Sequence, residues 1–366
     1  MKIVNLSYNI SYGFTQPEDW LLRINASTGI LEQLSRQHNV ISIEQINYSG
    51  YFEQHGVQYQ FLDFGKKSTW FPWRLHRVIK KMKADIIIVN GLIFPLQVIQ
   101  LRLSVGKKAR IIVQHHAEMP FRGIKKYLQR MADTCIDAYL FVSLEMGMEW
   151  IDRGNLPKAG KIHEVMEASS VFYPIDKKTA IAKTGVDGSP VFLWVGRLDQ
   201  NKDPLTVVKA FLQYIKNYPD AKLYMIYHTT ELIDEIKALL NDNTVNEKAV
   251  EMIGKTHHND MLYWFNSADY IISGSHYEGA GVAVCEAMSC GCIPVLTGIL
   301  SFKKMTGDGK CGILYETGNE QSLLNALNQI TGRDIRGERN KVLQQFKANL
   351  SFDAIARRIG EIAVSL

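Results

Sequence analysis

Short apolar runs rich in Val, Ile and Tyr alternate with segments of helical periodicity along most of the chain. The apolar runs predict strands over residues 2–7, 39–46, 57–62, 84–90, 109–114, 137–143, 162–167, 190–196, 221–227, 249–254, 269–274 and 292–297. The periodic segments predict helices over residues 20–37, 72–83, 92–103, 122–135, 144–153, 205–218, 231–240, 258–267, 281–290 and 320–330. Strands that alternate with helices indicate parallel sheets built from right-handed βαβ units, an α/β fold.

One segment interrupts this alternation. Residues 173–189 contain Tyr173-Pro174, Lys177-Lys178 and Asp187-Gly188-Ser189-Pro190, which is turn and linker chemistry. A new buried strand follows and opens a second doubly wound unit. We therefore expect a domain over residues 1–172 and another over 173–351. When two such domains face each other, a ligand site forms at the carboxyl ends of the strands.

Composition narrows the protein class. The chain has 366 residues, of which 46% are hydrophobic and 22% charged, as in folded proteins of about two domains. The longest apolar candidate for a membrane span, residues 84–98, is interrupted by polar residues and proline. The apolar stretch at the start of the chain is too short for a signal peptide. Five cysteines without a Cys-x-x-Cys pair favour a reducing compartment. We expect a cytoplasmic protein whose thiols serve packing.

Charge is concentrated in the first half. The net charge is +5, and residues 66–132 hold 15 Lys and Arg against two acids, Asp85 and Glu118. This basic region predicts an anionic partner such as a phospholipid, a phosphorylated substrate or a nucleic acid, or else a solvated face without a partner. No recognisable nucleic-acid module accompanies it, so nucleic acid is not expected.

The helix predicted at 72–83 lies inside this basic region. Leu75, Val78, Ile79 and Met82 form an apolar stripe, and Trp70, Phe71 and Trp73 lie just ahead of it. Its simplest interpretation is a helix packed on the sheet. The alternative is an interfacial patch beside an anionic membrane, and the two are compatible.

A first motif with chemical meaning follows the strand that opens the second half. Gly196 ends that strand, and Arg197 and Lys202 come next, with Pro204 suited to a first helical turn. An Arg fork grips phosphate oxygens in pairs and Lys adds a compact charge. Two cations at a strand's carboxyl end suit a diphosphate.

A second motif runs from Ser275 to Val295. Its pattern predicts a strand, a Gly-rich turn, a helix that ends at Gly291, and a further strand. The turn therefore presents backbone N–H groups at a helix N-terminus. Glu278 and Glu286 are eight positions apart, or about 12 Å along a helix. Carboxylates accept hydrogen bonds from vicinal hydroxyls, so one could face a sugar and the other the ribose of a nucleotide-sugar.

Together the motifs resemble those of retaining glycosyltransferases of the GT-B fold, family four (glycosyl transferases group 1): Gly-Arg-Leu-x-x-x-Lys, then Glu-Gly-x-Gly-x-x-x-x-Glu-Ala-Met-x-x-Gly, with Pro-Val following after two intervening residues. The detailed resemblance covers roughly residues 190–320. It implies two Rossmann-like domains facing across a cleft, an N-terminal acceptor side and a C-terminal donor-binding side. It also implies that a C-terminal helix, residues 352–366, packs back on the N-terminal domain.

The resemblance also implies roles for individual residues. Arg197 and Lys202 would stabilise the leaving diphosphate, Glu286 would bind the ribose, and Glu278 would face the donor sugar. The backbone at Gly196 and over residues 279–282 (Gly279, Ala280, Gly281, Val282) would contact the donor. His116, four residues before Pro120, would bond the donor sugar, unless it is only a satisfied strand-end histidine. Two positions depart from the family pattern. Ala280 occupies a position where the family often has an aromatic residue. Gly13, the expected contact on the phosphate side, is a single glycine where the family usually has a Gly-Gly turn.

The implied activity is metal-independent, retaining hexosyl transfer from a nucleotide-diphosphate sugar to an acceptor hydroxyl, in cell-surface polysaccharide, lipopolysaccharide or glycolipid assembly. Saccharide or lipid-linked acceptors are expected, with no cofactor and with possible peripheral attachment at the inner face of the cell membrane. No Asp-x-Asp occurs in the chain, and adjacent histidines point apart, so no metal site is expected. The alternatives are a phosphorylase-like or epimerase-like GT-B enzyme and a catalytically silent binding scaffold.

Overall fold

The computed structural model describes residues 1–65, 69–241 and 248–366. It divides into two compact units. Unit 1 comprises Met1–Ser169 with Phe352–Leu366, and unit 2 comprises Ser170–Ser351.

Unit 1 is built on a sheet of eight strands in the order β3-β4-β2-β1-β5-β6-β7-β8. The strands are β1 (Lys2–Ser7), β2 (Asn39–Gln45), β3 (Gly50–Gln54), β4 (Val57–Leu62), β5 (Ile86–Asn90), β6 (Arg110–Gln114), β7 (Ala138–Phe141) and β8 (Ile162–Glu164). All neighbours are parallel except β3, which pairs antiparallel with β4 at the edge. The central strands are buried aliphatic runs, as parallel strands covered on both faces require.

Helices connect these strands. They are α1 (Pro17–Arg23), α2 (Asn25–Ser35), α3 (Trp73–Met82), α4 (Pro95–Val105), α5 (Ile124–Asp133) and α6 (Leu144–Asp152). The last helix of the chain, α15 (Phe352–Ser365), packs on α2, where the ring of Phe352 lies over Gly29. A Cβ at Gly29 would come within 2.6 Å of that ring, so glycine is what permits the close approach of the two helices.

Unit 2 repeats the plan with a six-stranded parallel sheet in the order β11-β10-β9-β12-β13-β14. Its strands are β9 (Val191–Gly196), β10 (Lys222–Tyr227), β11 (Val250–Gly254), β12 (Tyr270–Ser273), β13 (Ile293–Thr297) and β14 (Ile313–Tyr315). Its helices are α7 (Lys177–Thr184), α8 (Pro204–Tyr214), α9 (Ile233–Asn241), α10 (Met261–Ser267), α11 (Val282–Ser289), α12 (Leu300–Thr306), α13 (Glu320–Asn328) and α14 (Ile335–Gln345). A π-helical turn, Phe346–Leu350, follows α14.

The structure corrects several predicted elements. The segment 173–189 is not only linker, because it contains α7, capped by the Asp176 side chain and packed on α10. The helix predicted over 20–37 is two helices separated at Ile24. Other elements that were not predicted include β3, β14, α12, α14 and the π-helical turn.

Most of the described Lys and Arg residues of the basic region are exposed. Lys66, Lys67 and Ser68 lie outside the described residues. Beyond them, Trp70, Phe71 and Trp73 expose 69%, 65% and 57% of their surface, while Leu75 and Ile79 of α3 are buried against unit 1. Among the described residues, no helix combines the length and the apolarity that a bilayer crossing would need.

Candidate functional site

The first group of candidate residues lies just after β9 in unit 2. Gly196 is the last residue of β9, and Asp199 organises the turn that follows. One oxygen of the Asp199 carboxylate lies 3.0 Å from Arg197 Nη2, and the other accepts the Lys202 backbone N–H at 2.9 Å. Asp199 therefore holds both predicted cations on one turn. Sequence reasoning missed it, because an acid between two bases looks like an ordinary polar turn.

Lys202 forms an ion pair with Glu278, across 76 positions of sequence. The same Glu278 oxygen accepts the Ser275 hydroxyl at 2.7 Å, and both side chains of the ion pair are largely buried. Asn201 fastens the two loops together: its side chain donates to Tyr277 O at 3.0 Å and accepts the Tyr277 N–H at 3.1 Å. The two sequence motifs thus meet at the carboxyl ends of β9 and β12.

The Gly-rich turn then leads into α11. Gly281 sits at φ +56° at the start of the helix, and a Cβ there would lie 2.7 Å from Phe302 Cε1. Ala280 is buried, whereas Val282, the first residue of α11, exposes 41% of its surface. The first N–H groups of any α-helix have no intrahelical acceptor and carry partial positive charge. This turn therefore adds an anion-favouring helix end to the Lys202–Glu278 pair.

Glu286 occupies the second turn of α11 and is 6% exposed. Its Oε1 lies 2.8 Å from Nε2 of His258, whose ring stands 4.9 Å from the Phe172 ring, centroid to centroid. His258 is a second candidate that the sequence motifs do not identify. An imidazole against a buried carboxylate holds the carboxylate in a fixed orientation.

His116 follows β6 in unit 1, and both of its ring nitrogens have partners in unit 1. Nδ1 forms an ion pair with Glu167, and Nε2 lies 3.1 Å from Asn90 Oδ1. Burial lowers the pKa of His116, but the hydrogen bond and charge of Glu167, with the charge of Glu118, outweigh it and raise the pKa above its usual value. Both partners present acceptor oxygens to the ring, and the raised pKa favours its doubly protonated form relative to a free imidazole.

A chain of polar side chains runs from His116 across the sheet. Asn90 donates to Asn5 Oδ1 at 2.8 Å, Asn5 donates to Ser42 Oγ at 3.0 Å, and Ser42 donates to Glu44 Oε1 at 2.6 Å. Burial raises the pKa of the Glu44 carboxyl, although the hydrogen bonds from Ser42 and Trp20 oppose this. The chain fixes the Asn90 amide with its oxygen toward His116.

The neighbouring His115 has a different environment. It is fully buried, stacks on Phe141 with ring centroids 4.7 Å apart, and places Nε2 2.9 Å from Glu118 O. Burial lowers the pKa of His115, so this imidazole is a neutral packing group. The preference for His116 over His115 as the candidate site residue is consistent with this difference.

Gly13 lies in an exposed loop after β1 at φ +93°, with its N–H on Asn47 Oδ1 at 2.9 Å. Within the described ranges, no cluster of three or more His, Cys, Asp or Glu side chains is arranged to hold a metal ion. Of the five cysteines, Cys285, Cys290, Cys292 and Cys311 are buried, and burial raises the pKa of the Cys290 and Cys311 thiols to about 12.

Comparison with known proteins finds matches in the second half of the chain. Residues 176–346, somewhat less than half of the chain, match the family model described as glycosyl transferases group 1. A poly(glycerol-phosphate) alpha-glucosyltransferase of Bacillus subtilis is 33% identical over 135 residues, 36% of this chain and 19% of that protein. A Campylobacter jejuni N-acetylgalactosamine-N,N'-diacetylbacillosaminyl-diphospho-undecaprenol 4-alpha-N-acetylgalactosaminyltransferase is 28% identical over 159 residues, 43% of this chain and 42% of that protein. The chain thus matches less than half the length of these relatives.

Solved structures resemble the whole chain. HepE of Anabaena in complex with UDP has a TM-score of 0.76 at 17% identity and covers 100% of both chains. Sucrose-phosphate synthase from Thermosynechococcus elongatus has a TM-score of 0.72 at 15% identity, over 100% of this chain and 99% of that one. These likenesses concern the fold. They confirm the predicted GT-B class, α/β with two largely parallel sheets, and the family match confirms the resemblance to group 1 glycosyltransferases.

Proposed function

We propose, from the match of residues 176–346 to the family model of glycosyl transferases group 1, that the chain transfers a hexosyl group from a nucleotide-diphosphate sugar to an acceptor hydroxyl. The observation that carries the proposal is the junction of the two motifs in unit 2. There, Arg197 and Lys202 stand on one turn held by Asp199, and Lys202 pairs with Glu278 beside the start of α11.

Charge development supports this assignment. As the glycosidic bond of the donor breaks, negative charge accumulates on the leaving diphosphate. Preorganised cations and helix N–H groups stabilise such charge more strongly than water does, because they need no reorganisation. Arg197 is 53% exposed at its side chain and so is accessible to a ligand, whereas Glu286 and His258 form a pair suited to ribose hydroxyls.

The finer mechanism is also a proposal. Transfer proceeds with retention by front-face attack, in which the donor phosphate takes up the proton of the acceptor hydroxyl and no covalent enzyme intermediate forms. The residues present supply the compensating charge, so no metal is required. Glu278 faces the donor sugar, and the backbone at Gly196, Gly279, Ala280, Gly281 and Val282 contacts the donor, with Gly13 on the phosphate side. His116 donates a hydrogen bond to the sugar by exchanging Asn90 for substrate at Nε2.

The biological setting follows the same line. One relative's name specifies poly(glycerol-phosphate) and another's a diphospho-undecaprenol compound. We propose a role in cell-surface polysaccharide, lipopolysaccharide or glycolipid assembly, in the cytoplasm, with the basic region against the anionic inner face of the cell membrane. The exposed aromatic residues ahead of α3 and the excess of Lys and Arg there support contact with such a surface.

Thermal unfolding with UDP, GDP, ADP and their sugar conjugates tests donor binding. A nucleotide at 100 times its Kd adds about 2.7 kcal/mol of stability, which shifts the transition visibly. We expect one nucleotide to stabilise the wild type, Glu286→Ala to lose most of that shift, and Glu235→Ala, an exposed carboxylate on α9, to keep it. The absence of stabilisation by every nucleotide, with acceptor present as well, would favour a silent scaffold.

Product analysis separates the enzyme classes. With the stabilising nucleotide-sugar and a panel of acceptors, the proposed transferase releases nucleoside diphosphate and forms an α-configured product from an α-configured donor. Epimerised nucleotide-sugar would indicate an epimerase-like enzyme, and sugar phosphate formed from free phosphate would indicate a phosphorylase-like one. An inverted anomeric product would overturn the retaining mechanism alone.

A further inference from the structure

A groove of about 450 Å³ opens in unit 1 beside the carboxyl ends of β1 and β5, a volume within the range of small-molecule sites. Four segments form its walls: residues 8–12, 69–70, 93–97 and 121–128. Most of the side chains that line it are aromatic or aliphatic. Gln97 donates to Thr69 O at 2.9 Å, which ties the Trp70 wall to α4. The walls of the groove are therefore held in place by contacts within unit 1.

The inner wall of the groove is uncharged. Tyr8 is 1% exposed, its hydroxyl lies 2.9 Å from His76 Nε2, and its ring is 5.4 Å from the Phe94 ring, centroid to centroid. Burial lowers the pKa of His76 to about 4, so this imidazole is neutral at physiological pH. An uncharged wall of this kind favours an apolar occupant, because a charged group there would lose its hydration without gaining a counter-charge.

The rim of the groove is exposed and basic. Trp70 and Ile93 line it with 69% and 44% of their surface exposed, and Lys125 is the charged residue among the lining side chains. Lys126 follows Lys125 in the first turn of α5, and Arg122 lies just ahead of that helix. An apolar cavity with a cationic rim complements a molecule that has an apolar chain and an anionic head.

The groove is also connected to the candidate histidine. Leu92, next to Ile93 of the groove, donates its N–H to Glu118 Oε1 at 2.9 Å. The other Glu118 oxygen accepts the His116 N–H at 2.7 Å. One carboxylate therefore holds together the loop that forms the groove and the loop that carries His116.

We propose that this groove binds the apolar chain of a lipid phosphate, with Lys125 against the phosphate, and that this amphiphile carries the acceptor hydroxyl. The inference rests on the proposed function and deepens it, since it commits the acceptor to the lipid-linked class and gives its chain a site in unit 1. The head group then projects from the rim toward the loop that Glu118 shares with His116.

Calorimetric titration of the full chain with farnesyl phosphate, below its micellar concentration, tests the groove without requiring catalysis. Farnesol and inorganic phosphate are titrated in parallel, to separate the chain from the anion. We expect farnesyl phosphate to bind, farnesol to bind more weakly, and phosphate alone to give no competition. Competition by inorganic phosphate at millimolar concentration would show a simple anion site and overturn the proposal.

Paired variants locate the binding. Ile93→Asp puts a charge on the groove rim and should weaken farnesyl phosphate binding at least about tenfold. Leu103→Asp, on the exposed face of α4 and outside the groove, should leave binding within about twofold of wild type. If Ile93→Asp lowers the thermal stability of the protein, Leu128→Glu repeats the test on the α5 wall of the groove. Equal loss with Leu103→Asp would mean adsorption to the surface at large and would overturn the proposal.

Charge reversal tests the rim. Lys125→Glu should weaken farnesyl phosphate about tenfold but change farnesol binding less than about twofold. Arg130→Glu, exposed on the same helix but not part of the groove, is the matched control. Nucleotide stabilisation should be unchanged in every groove variant. If the wild type binds no nucleotide, the proposed function is contradicted. If the wild type binds nucleotide but not farnesyl phosphate, only the proposed role of the groove is contradicted.

Discussion

At the scale of single residues, the candidate cations of unit 2 are already paired with carboxylates of the same unit. Arg197 contacts Asp199 and Lys202 contacts Glu278. These pairings hold the side chains in place before a ligand arrives. A diphosphate has then to compete with a carboxylate for each cation, which favours a ligand of high charge density over a neutral sugar.

Replacing Arg197 tests the cation directly. We expect Arg197→Ala to lower turnover by more than about tenfold, because the transition-state charge loses one of its two side-chain cations. Turnover is measured with saturating donor, and Arg336→Ala, an exposed arginine on α14, should stay near wild type. Near-wild-type turnover of Arg197→Ala would show that Arg197 does not stabilise the leaving group.

The pKa of His116 gives a second residue-scale prediction. Because the folded pKa is raised, protonated His116 adds stability that is present below the unfolded-state pKa of about 6.5 and lost as pH rises through the folded value. Glu167→Gln removes the main cause. We expect the His116 proton NMR titration to move to lower pH, and the thermal stability lost through the substitution to be larger at acidic than at alkaline pH.

The control for this prediction is Glu53→Gln, which removes an exposed carboxylate from β3 of the same unit. It should leave the His116 titration unchanged. An unshifted titration in Glu167→Gln would mean that Glu167 does not set the protonation of this ring.

Some residues of the site could not be read from the sequence. The two motifs identified Arg197, Lys202, Glu278 and Glu286, because their spacing is local. Asp199 lies inside the first motif but looks like an ordinary acid of a polar turn. His258 acts through a contact that only the fold creates, because it meets Glu286 across 28 positions of sequence. Glu167 reaches His116 from a separate strand end, and no local pattern marks such a pair.

At the scale of elements, continuous apolar runs predicted the central strands well, because parallel strands buried on both faces carry an unambiguous signal. The missed elements are short, lie at a sheet edge or bury few residues, as α14 does with Val342 alone. β14 has three residues, and β3 alternates between intermediate and exposed positions at the sheet edge. The polar helix α7 was mistaken for linker, since one buried residue, Ala180, gives no periodic stripe.

The start of α11 is the element on which the donor site depends most. We expect Gly281→Ala to destabilise unit 2 by about 2 kcal/mol or more, since alanine in this left-handed conformation costs about 1 kcal/mol and its Cβ also overlaps Phe302. Gly185→Ala, at φ +70° with open space around it, isolates the backbone cost. Thermal unfolding compares the two, and equal losses would mean that Phe302 moves aside freely.

At the scale of the whole molecule, sequence similarity and structural similarity to known proteins cover different parts of the chain. The family model covers residues 176–346, while structural likeness extends over the entire chain. In the proposed function, unit 2 would bind the part of the substrate that the reaction shares with related enzymes, which agrees with the strength of its motifs. Unit 1 holds the groove, the basic region and His116. Under the same proposal unit 1 would recognise the acceptor, so the sequence motif of a family says little about it.

The proposed absence of a metal requirement concerns the complete reaction and is tested on the whole protein. A divalent ion would serve to neutralise the leaving diphosphate, and here Arg197, Lys202 and the N-terminus of α11 carry positive charge at the place where that group would bind. We expect transfer activity to be unchanged, within about twofold, after treatment with EDTA and desalting. Added Mg²⁺ should not raise it. Loss of activity on chelation that Mg²⁺ restores would show that these groups do not suffice, and the mechanism would then need a metal at the diphosphate.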